Sequence, residues 1–366
     1  MELKIEKDSR AGRGNRAHNL RSFRGVKLET DFEEGNLFPQ LIDERERFPV
    51  CCDVERDDDF VRSLCHLKWR DRPGCDSIHT QAGGLALPLS MQVRAPAKIN
   101  LSLRILGKRA DGFHEIETLI APISLFDEIK IEKQSRWIDF ACDDSSIPSG
   151  AENLVVRAAT SFFEATKIKR GVAIKLSKRI PHGAGLGGGS SDAASTLVAL
   201  NELFEAKLSR EELAKLATSI GSDVPFFLFR SAAICRGRGE MVTPAKLSKS
   251  LSILLLKPEF GVPAAVAYQR WEKSREIPDV AYAAQEFEGQ GFINDLERPV
   301  FEKFVFLAQL KMWLLKQSEV GTALMSGSGS TLFAVMRKNG DIDLLADRAK
   351  AELDSKLWTY GCETIG

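Results

Sequence analysis

Segment 181–192 is the part of the sequence whose residue types and spacing point most directly to chemistry. It reads Pro-His-Gly-Ala-Gly-Leu-Gly-Gly-Gly-Ser-Ser-Asp and lies between a predicted strand and a predicted helix. Glycine lets the backbone adopt positive φ and approach a ligand closely, while a helix N-terminus offers unpaired N–H groups and the positive end of its dipole. Together these properties favour a bound phosphate. Ser190 and Ser191 add hydroxyls that can cap the helix or contact phosphate or Mg²⁺.

Other interpretations of this glycine-rich segment are weaker. Five glycines in seven residues (183–189) would weaken a purely structural turn, because each loses much conformational entropy on folding. No Gly-Lys-Ser/Thr follows, so the segment is not a Walker A loop. It does satisfy G-x-G-x-x-G, but a dinucleotide-binding fold needs a strand after the helix, and a second helix is predicted from Ser209. We therefore reject a Rossmann fold and predict a phosphate loop of another kind.

Charged or polar side chains at two other places could act on a bound phosphate. Lys98 and Asn100 share one face of a predicted strand, where the alternative is a lysine that protects a sheet edge. Asp223 follows a predicted helix end and is either a general base or a turn residue. Next to it, Pro225 is expected to hold Val224 in an extended conformation. Taken alone, Lys98 and Asp223 each favour the structural alternative.

Two further segments contain residue types that can contact a nucleotide or a substrate. Segment 325–331, Met-Ser-Gly-Ser-Gly-Ser-Thr, lies between two predicted strands and is longer than a tight hairpin needs. Its backbone N–H groups could bind part of a ligand, or it could be a plain surface loop. Phe113 and His114 follow a predicted turn, where the alternatives are a substrate contact and a surface histidine.

The secondary structure that must position these segments mixes helices and strands in an irregular order. Strands are predicted at 93–106, 172–176, 226–234, 251–256, 322–325 and 331–335, with one or two at 116–131 and a short one at the C-terminus. Helices are predicted at 153–165, 190–204, 301–315 and 343–357, and one more begins at the Ser209-Arg210-Glu211-Glu212 capping box and ends at Gly221. This order predicts an α+β fold and argues against a doubly wound parallel sheet.

The composition narrows the class of protein. With 366 residues, the chain is long enough for two domains at about 150 residues each. Its 51 basic and 51 acidic residues give zero net charge, which argues against a surface that coats nucleic acid. No segment approaches the roughly 20 apolar residues that span a bilayer. Seven cysteines at irregular spacing do not predict a disulfide framework, so a cytoplasmic location is expected.

Residues 1–90 differ from the rest of the chain, because they hold four of the seven cysteines and show no sustained hydrophobic periodicity. Three interpretations remain: a disordered extension, a start-site artefact with the true start at Met91, or a metal module. The metal module would use Cys51 or Cys52, Cys65, His66, Cys75 and His79. It lacks the closely spaced cysteine pair of structural zinc sites, and the many acidic residues argue against a transit peptide.

Five segments, in their order and spacing, resemble the GHMP kinase superfamily. They are Pro-Ala-Lys-Ile-Asn-Leu at 96–101, Arg-Ala-Asp-Gly-Phe-His at 109–114, Gly-Leu-Gly-Gly-Gly-Ser-Ser at 185–191, Gly-Ser-Asp-Val-Pro-Phe-Phe at 221–227 and Ser-Gly-Ser-Gly at 326–329. The similarity runs from about Gln92 to the C-terminus. It implies a two-domain α+β fold with the active site between the halves. The first half, at 91–245, would be ribosomal protein S5-like, and the second half, at 246–366, would be ferredoxin-like. An N-terminal extension at 1–90 would precede them.

Within the superfamily, the Asp-Gly-Phe-His segment and the tripled glycine are similar to the branch that phosphorylates cytidine diphosphate-linked methylerythritol. The resemblance implies ATP-dependent transfer to the 2-hydroxyl of that substrate in non-mevalonate isoprenoid biosynthesis, with ATP and Mg²⁺ as cofactors. It implies a cytoplasmic monomer or homodimer that binds neither nucleic acid nor a membrane. The alternatives are a GHMP kinase for another small alcohol and a non-catalytic GHMP-fold binding module. The presence of both Lys98 and Asp223 argues against the second.

The resemblance also implies roles for individual residues. Asp223 would take the proton from the substrate hydroxyl, and Lys98 would neutralise phosphate charge and hold Asp223 ionised. ATP would be bound by Pro181, Gly183, Gly185, Leu186, Gly187, Gly188, Gly189, Ser190 and Ser191. The substrate would be bound by Asn100, Phe113, His114, Tyr268, Ser328 and Gly329. The family often has Tyr in place of Phe113 and Phe in place of Tyr268, and either ring can stack on cytosine. The resemblance does not identify the Mg²⁺ ligands, and whether Asp192 is one of them is left open.

We expect residues 1–90 to be dispensable, because they lack periodicity and the family-like segment begins near Gln92. A chain that starts at Met91 should fold and keep the phosphotransfer activity of the full chain, as measured by circular dichroism and by ADP release. Failure to fold, or loss of activity, would contradict this expectation.

Overall fold

The structure, a computed structural model, describes residues 89–365. The interpretations of the N-terminal extension therefore lie almost wholly outside the described residues. Strand β1 (Ser90–Lys108) begins one residue before Met91, and the Leu89 carbonyl accepts a 2.9 Å hydrogen bond from the Lys133 N–H. A chain that starts at Met91 lacks this one hydrogen bond.

The larger sheet is built around two long neighbouring strands. Its strands are β1, β2 (His114–Gln134), β3 (Ile138–Cys142), β4 (Gly171–Ser177), β5 (Ala233–Gly237), β6 (Met241–Pro244) and, later in the chain, β8 (Gln285–Phe287) and β9 (Gln290–Asn294). The order is β3-β4-β2-β1-β9-β8, and β5 pairs with β2 and β6. The pairs β3 with β4 and β1 with β9 are parallel, and the other described pairs are antiparallel.

The smaller sheet is antiparallel. Its strands are β7 (Ser252–Lys257), β10 (Val320–Met325), β11 (Leu332–Met336) and β12 (Trp358–Glu363), in the order β10-β11-β7-β12. Strand β10 therefore lies at one edge of this sheet.

The helices between the strands begin at recognisable caps. They are α1 (Leu154–Thr166), α2 (Gly188–Leu203), α3 (Arg210–Ile220), α4 (Ala264–Arg270), α5 (Glu297–Lys303), α6 (Val305–Leu315) and α7 (Ile342–Glu352). Ser209 and Glu212 form the predicted capping box of α3, and Asn153 caps α1 by accepting a hydrogen bond from the Val155 N–H. Among the described helices, none is both long and apolar enough to cross a membrane.

Apolar side chains between these elements form three contiguous clusters. The first packs α1, α2 and α3 on the larger sheet and contains the fully buried Phe162, Leu197 and Leu200. The second joins the smaller sheet to the helices from α4 onward. The third contains Ile99 of β1 and Phe333 of β11, so the two sheets share a core. That shared core holds β1, which carries Lys98, against the second half of the chain.

The predicted α+β class is confirmed, and the strands do not alternate regularly with helices. Most of the larger sheet comes from residues 91–245, and the smaller sheet comes from residues 246–366. However, β8 and β9 lie late in the chain and complete the larger sheet beside β1. The boundary between two halves at residue 245 stays a prediction.

The segment that follows Asp223 differs from its predicted structure. The strand predicted at 226–234 is wrong, because Pro225–Leu228 is a 3₁₀ helix and β5 begins only at Ala233. The extended conformation expected for Val224 is also wrong, since Val224 lies in the helical region with φ −61° and ψ −42°. These apolar residues are buried in the cluster under α2 and α3, so their hydrophobicity reflects burial and not strand periodicity.

Other predicted elements differ in their bounds. The helix predicted at 301–315 is two helices that meet at Phe304, where φ is −117° and ψ is 70°. The helix predicted at 343–357 ends at Glu352. Strands β3, β6, β8 and β9 were not predicted; they have only 5, 4, 3 and 5 residues, and so short a strand shows little alternation.

Candidate active site

The first glycine-rich segment forms a loop between β4 and α2, as predicted. Gly183, Gly185 and Gly187 have φ of 63°, 75° and 71°, in a region that residues with side chains rarely adopt. A Cβ on Gly185 would lie 2.3 Å from the Ser326 carbonyl oxygen. Glycine at this position therefore allows the loop to touch the second glycine-rich segment. Helix α2 begins at Gly188, so its first N–H groups lie at this loop.

Two cavities lie on either side of this loop. The smaller, of about 340 Å³, is lined mainly by residues 181–190. The larger, of about 550 Å³, is lined by Lys98 and Asp223 together with the second glycine-rich segment. Gly185 and Gly187 line both cavities. A phosphate chain that lies along the loop can therefore extend from one cavity to the other.

Lys98 is the central polar side chain of the larger cavity. It is buried, its Nζ donates a 2.6 Å hydrogen bond to Asn100 Oδ1, and it lies 3.8 Å from Asp223 Oδ2. Asn100 donates to Thr118 Oγ1 at 2.8 Å, and Thr118 donates to the Ser102 carbonyl. The Asp223 side chain is 43% exposed, so a ligand in the cavity can reach it. This network fixes the ammonium group of Lys98 close to an accessible carboxylate.

Burial changes the acid strength of Lys98. Desolvation lowers the pKa of Lys98, while the Asp223 carboxylate acts in the opposite direction. A phosphate group in the cavity would replace part of the hydration that Lys98 has lost. An anionic ligand therefore stabilises the charged form of this lysine.

The second glycine-rich segment, residues 326–330, lies on the other side of Lys98. The Ser326 hydroxyl donates to the Gly185 carbonyl at 3.0 Å, and a Cβ on Gly327 would lie 3.2 Å from Lys98 Nζ. Gly327 and Ser328 line the larger cavity. Within the described part of the chain, neither of their backbone N–H groups donates to another protein group. Both N–H groups are therefore available to an anion.

The structure brings most of the predicted site residues to the two cavities. The larger cavity is lined by Lys98, Asn100, Phe113, His114, Gly185, Gly187, Asp223, Tyr268 and Ser328. The smaller cavity is lined by Pro181, Gly183, Gly185, Leu186, Gly187, Gly188, Gly189 and Ser190. Two predicted residues line neither. The Ser191 hydroxyl is buried and has no hydrogen-bond partner among residues 89–365. Gly329 lies against Met325 and against Gly185.

Aromatic rings form one end of the larger cavity. The His114 ring centroid lies 5.4 Å from that of Tyr268 and 5.8 Å from that of Trp271. Phe113 is half exposed, with the Arg238 guanidinium 4.9 Å from its ring centroid. Burial raises the pKa of Tyr268, so its hydroxyl remains a hydrogen-bond donor. Rings arranged in this way can stack on a planar ligand.

Several polar residues of the site were not predicted from the sequence. Thr118 and Arg238 line the larger cavity, and no spacing rule pointed to them. Asn294 bonds the second glycine-rich segment from β9, a strand that was not recognised. Asp127 is completely buried on β2. The alternation of β2 predicts that Asp127 is buried, because Leu125, which lies on the same face of the strand, is also buried.

Asp127 and Asp192 share one buried cation, Lys178. The Lys178 ammonium bonds Asp127 and lies 2.9 Å from Asp192 Oδ2, while Asp127 Oδ1 accepts the N–H groups of Arg179 and Ile180. Burial raises the pKa of Asp192 to about 8; Lys178 opposes this shift and Asp127 adds to it. Because Arg179 and Ile180 directly precede the first glycine-rich loop, this cluster fixes the start of the loop.

Comparisons with known proteins identify the family of this chain. The family model for the N-terminal domain of GHMP kinases matches residues 153–231. A 4-diphosphocytidyl-2-C-methyl-D-erythritol kinase of Methylacidiphilum infernorum (isolate V4) is 41% identical over 268 residues, which is 72% of this chain and 93% of the relative. A crystal structure of 4-(cytidine 5'-diphospho)-2C-methyl-D-erythritol kinase is 36% identical, with a TM-score of 0.63, over 75% of this chain and 100% of its own. A homoserine kinase of Cytophaga hutchinsonii shares the fold, with 18% identity and a TM-score of 0.55 over 78% of this chain and 97% of its own.

The matches above 30% identity establish first a class of protein, the ATP-dependent phosphotransferases of the GHMP type. The chain belongs to the GHMP kinase family and, within it, to the 4-diphosphocytidyl-2-C-methyl-D-erythritol kinases. The resemblance inferred from the five sequence segments and the expectation of a kinase are confirmed. The roles of individual residues stay predictions.

The raised pKa of Asp192 makes stability depend on pH. The pKa of an aspartate in an unfolded chain is about 3.9, whereas burial raises the pKa of Asp192 to about 8 in the folded protein. Between these values the folded state keeps a proton that the unfolded state has released, so the free energy of unfolding falls as the pH rises. We expect Asp192→Asn, which cannot titrate, to remove most of this fall in urea unfolding from about pH 5 to about pH 8.

Asp144→Asn is a matched control for this measurement. The Ser146 hydroxyl and N–H donate to Asp144 and lower the pKa of Asp144, so its contribution to stability is lost only below about pH 4. Its pH profile above that range should therefore follow the wild type. Parallel profiles for the wild type and Asp192→Asn would contradict the assignment of the titrating group.

Proposed function

We propose that this enzyme transfers the γ-phosphoryl group of ATP to the 2-hydroxyl of 4-diphosphocytidyl-2-C-methyl-D-erythritol, as a step of isoprenoid precursor biosynthesis. The products are the 2-phosphate and ADP. One observation carries the proposal: Lys98 and Asp223 lie 3.8 Å apart in a cavity that meets the nucleotide loop at Gly185 and Gly187. The substrate is taken from the names of two relatives that are 41% and 36% identical to this chain where they align with it.

In the proposed reaction, Asp223 accepts the proton of the 2-hydroxyl. The hydroxyl oxygen then forms a bond to the γ-phosphorus, while the bond from that phosphorus to the β,γ-bridging oxygen breaks and its electron pair leaves with ADP. Lys98, held by Asn100, stabilises the negative charge on the transferring group. Phosphoryl transfer depends chiefly on positioning and charge stabilisation, so few reactive side chains are needed.

The smaller cavity is suited to the phosphates of ATP. The first N–H groups of α2 lie at the loop, and a 16-residue helix presents the positive end of its dipole there. Ser190 lines the same cavity and adds a hydroxyl. Lys178 also lines that cavity, but its ammonium group is already bonded to Asp127 and Asp192. Backbone groups therefore supply most of the phosphate binding.

Mg²⁺ fits the oxygens at this end of α2. The Ser191 hydroxyl and Asp192 Oδ1 are buried and lack a hydrogen-bond partner within the described residues, and Mg²⁺ binds such oxygens together with substrate phosphates. Ser190, Ser191 and Asp192 would hold the ion, which when bound neutralises charge on the β- and γ-phosphates. No cluster of three or more acidic, histidine or cysteine side chains in the described residues could hold a metal alone. This agrees with an ion that binds with the nucleotide.

The larger cavity is suited to the cytidine diphosphate part of the substrate. Phe113 and Tyr268 offer rings for the base, and His114 lies against Tyr268 where it can donate to a polar edge of that base. Arg238 and the free N–H groups of the second glycine-rich segment offer positive charge and donors for the diphosphate. Predicted contacts of Asn100, Ser328 and Gly329 with the substrate belong to this part of the proposal.

Asp223→Asn tests the proposed base. With ATP, Mg²⁺ and 4-diphosphocytidyl-2-C-methyl-D-erythritol, we expect its kcat to fall by a factor of about 10² to 10⁴, because an amide cannot accept the proton. The melting temperature should change little, since the Asp223 side chain is 43% exposed. ADP release measures the rate, and calorimetry should show that ATP still binds.

Asp139→Asn serves as the matched control, because Asp139 is exposed on β3 and lines neither cavity. This variant should keep wild-type kinetics.

The same assay with mevalonate, homoserine and galactose tests the substrate. Turnover of one of these in place of the cytidine compound would overturn the proposed substrate and leave the kinase class intact. Wild-type rates in Asp223→Asn would overturn the proposed base.

A further inference from the structure

Side chains bond three outer backbone groups of β10, namely the Ala323 carbonyl and the N–H and carbonyl of Met325. This strand lies at the edge of the smaller sheet. Gln285 donates to the Ala323 carbonyl at 3.0 Å. Asn294 donates to the carbonyls of Met325 and Gly327, both at 2.7 Å. The Asn294 amide thus links the last residue of β10 to the second glycine-rich segment.

The Asn294 side chain is itself firmly held. It is only 4% exposed, and its Oδ1 accepts the Leu296 N–H at 2.9 Å. Asn294 is the last residue of β9 and pairs with Leu103 on β1, the strand that carries Lys98. The second glycine-rich segment is therefore anchored to the same strand as the candidate catalytic lysine.

Glu297 fixes the start of the same segment from a second direction. Its Oε1 accepts the Met325 N–H at 2.9 Å, and its Oε2 accepts a hydrogen bond of 2.5 Å from Lys311. Both charged side chains are almost completely buried, and Lys311 also donates to the Ala281 carbonyl at 2.6 Å. With Glu297 on its N–H and Asn294 on its carbonyl, Met325 has little freedom to move.

The hydrogen bond to Gly327 determines the direction of a neighbouring donor. In a planar trans peptide the carbonyl and the following N–H point in opposite directions. Because the Gly327 carbonyl points to Asn294, the Ser328 N–H points away from Asn294. Ser328 lines the larger cavity, and its N–H has no acceptor within the described residues. The Asn294 amide therefore sets the orientation of a free backbone donor at the site.

We propose that Asn294 is a positioning residue for phosphoryl transfer, which holds the 326–330 segment so that its backbone N–H groups meet the phosphates in the larger cavity. The inference rests on the proposed function, because it assumes that a phosphate-bearing ligand occupies this cavity. Asn294 touches neither cavity, so it acts only through the segment that it holds.

Asn294→Ala and Gln285→Ala form a matched pair for the test. Each removes one amide that bonds the outer edge of β10, but only Asn294 reaches the 326–330 segment. We expect Asn294→Ala to lower kcat/KM for the acceptor by about tenfold to a hundredfold, and Gln285→Ala to leave it within about threefold of the wild type. The Kd for ATP without acceptor should hold in both variants, since residues 326–330 line only the larger cavity.

Hydrogen exchange gives a second measurement that does not depend on the substrate. Peptides that cover residues 326–330 should exchange faster in Asn294→Ala than in the wild type, and at the wild-type rate in Gln285→Ala. If Asn294→Ala does not fold, Asn294→Ser keeps a shorter polar side chain and takes its place. The kinetic measurements use the acceptor that the wild-type enzyme phosphorylates. If the proposed substrate is wrong, the wild type will phosphorylate another alcohol, and that result is independent of the Asn294 variant.

Three results would overturn the inference. The first is unchanged exchange of the 326–330 segment in the Asn294 variant, and the second is faster exchange with wild-type kcat/KM. The third is an equal loss of kcat/KM in the Asn294 and Gln285 variants, which would indicate general destabilisation of β10. Faster exchange together with a loss of kcat/KM in the Asn294 variant alone would support it.

Discussion

The direct contact between two glycine-rich backbones is the constraint on which the rest of this site depends. A Cβ on Gly185 would lie 2.3 Å from the Ser326 carbonyl oxygen and 2.9 Å from that of Gly329, so neither segment could hold its place if Gly185 had a side chain. The contact brings the N-terminus of α2 beside Lys98 and places two cavities on one loop. A kinase needs this arrangement, because donor phosphate and acceptor hydroxyl must meet in line at one point.

Glycine-rich segments have few side chains of their own with which to hold a conformation, and each of the two is anchored by buried polar groups from elsewhere. Asp127, paired with Lys178, accepts two N–H groups just before the first segment. Glu297, paired with Lys311, and Asn294 bond the base of the second. Removing one partner of such a pair leaves an uncompensated buried charge, which costs about 3–5 kcal/mol. The loops therefore gain their rigidity from charges that the reaction itself does not use.

How well each element was predicted depends on how far apart in the sequence its interacting residues lie. The capping box at Ser209 was predicted because its hydrogen bonds join residues three apart. The phosphate loop was predicted because strand, glycines and helix are contiguous. By contrast, Pro225–Leu228 was assigned to a strand, since its hydrophobicity does not reveal that it is buried as a 3₁₀ helix. Asn294 was missed because its partners lie 31 and 33 residues away, in a loop reached through a strand of five residues.

The sequence by itself determined the α+β class, the phosphate-binding loop and, through five spaced segments, the family. Each of these depends on residues that are neighbours along the chain or recur in a fixed order. Only the tertiary structure decided that Lys98 is a buried residue 3.8 Å from Asp223 and not a lysine at a sheet edge. The physical reason is that this pairing spans 125 positions between Lys98 and Asp223, and it forms only when the fold packs β1 beside α2 and both glycine-rich loops.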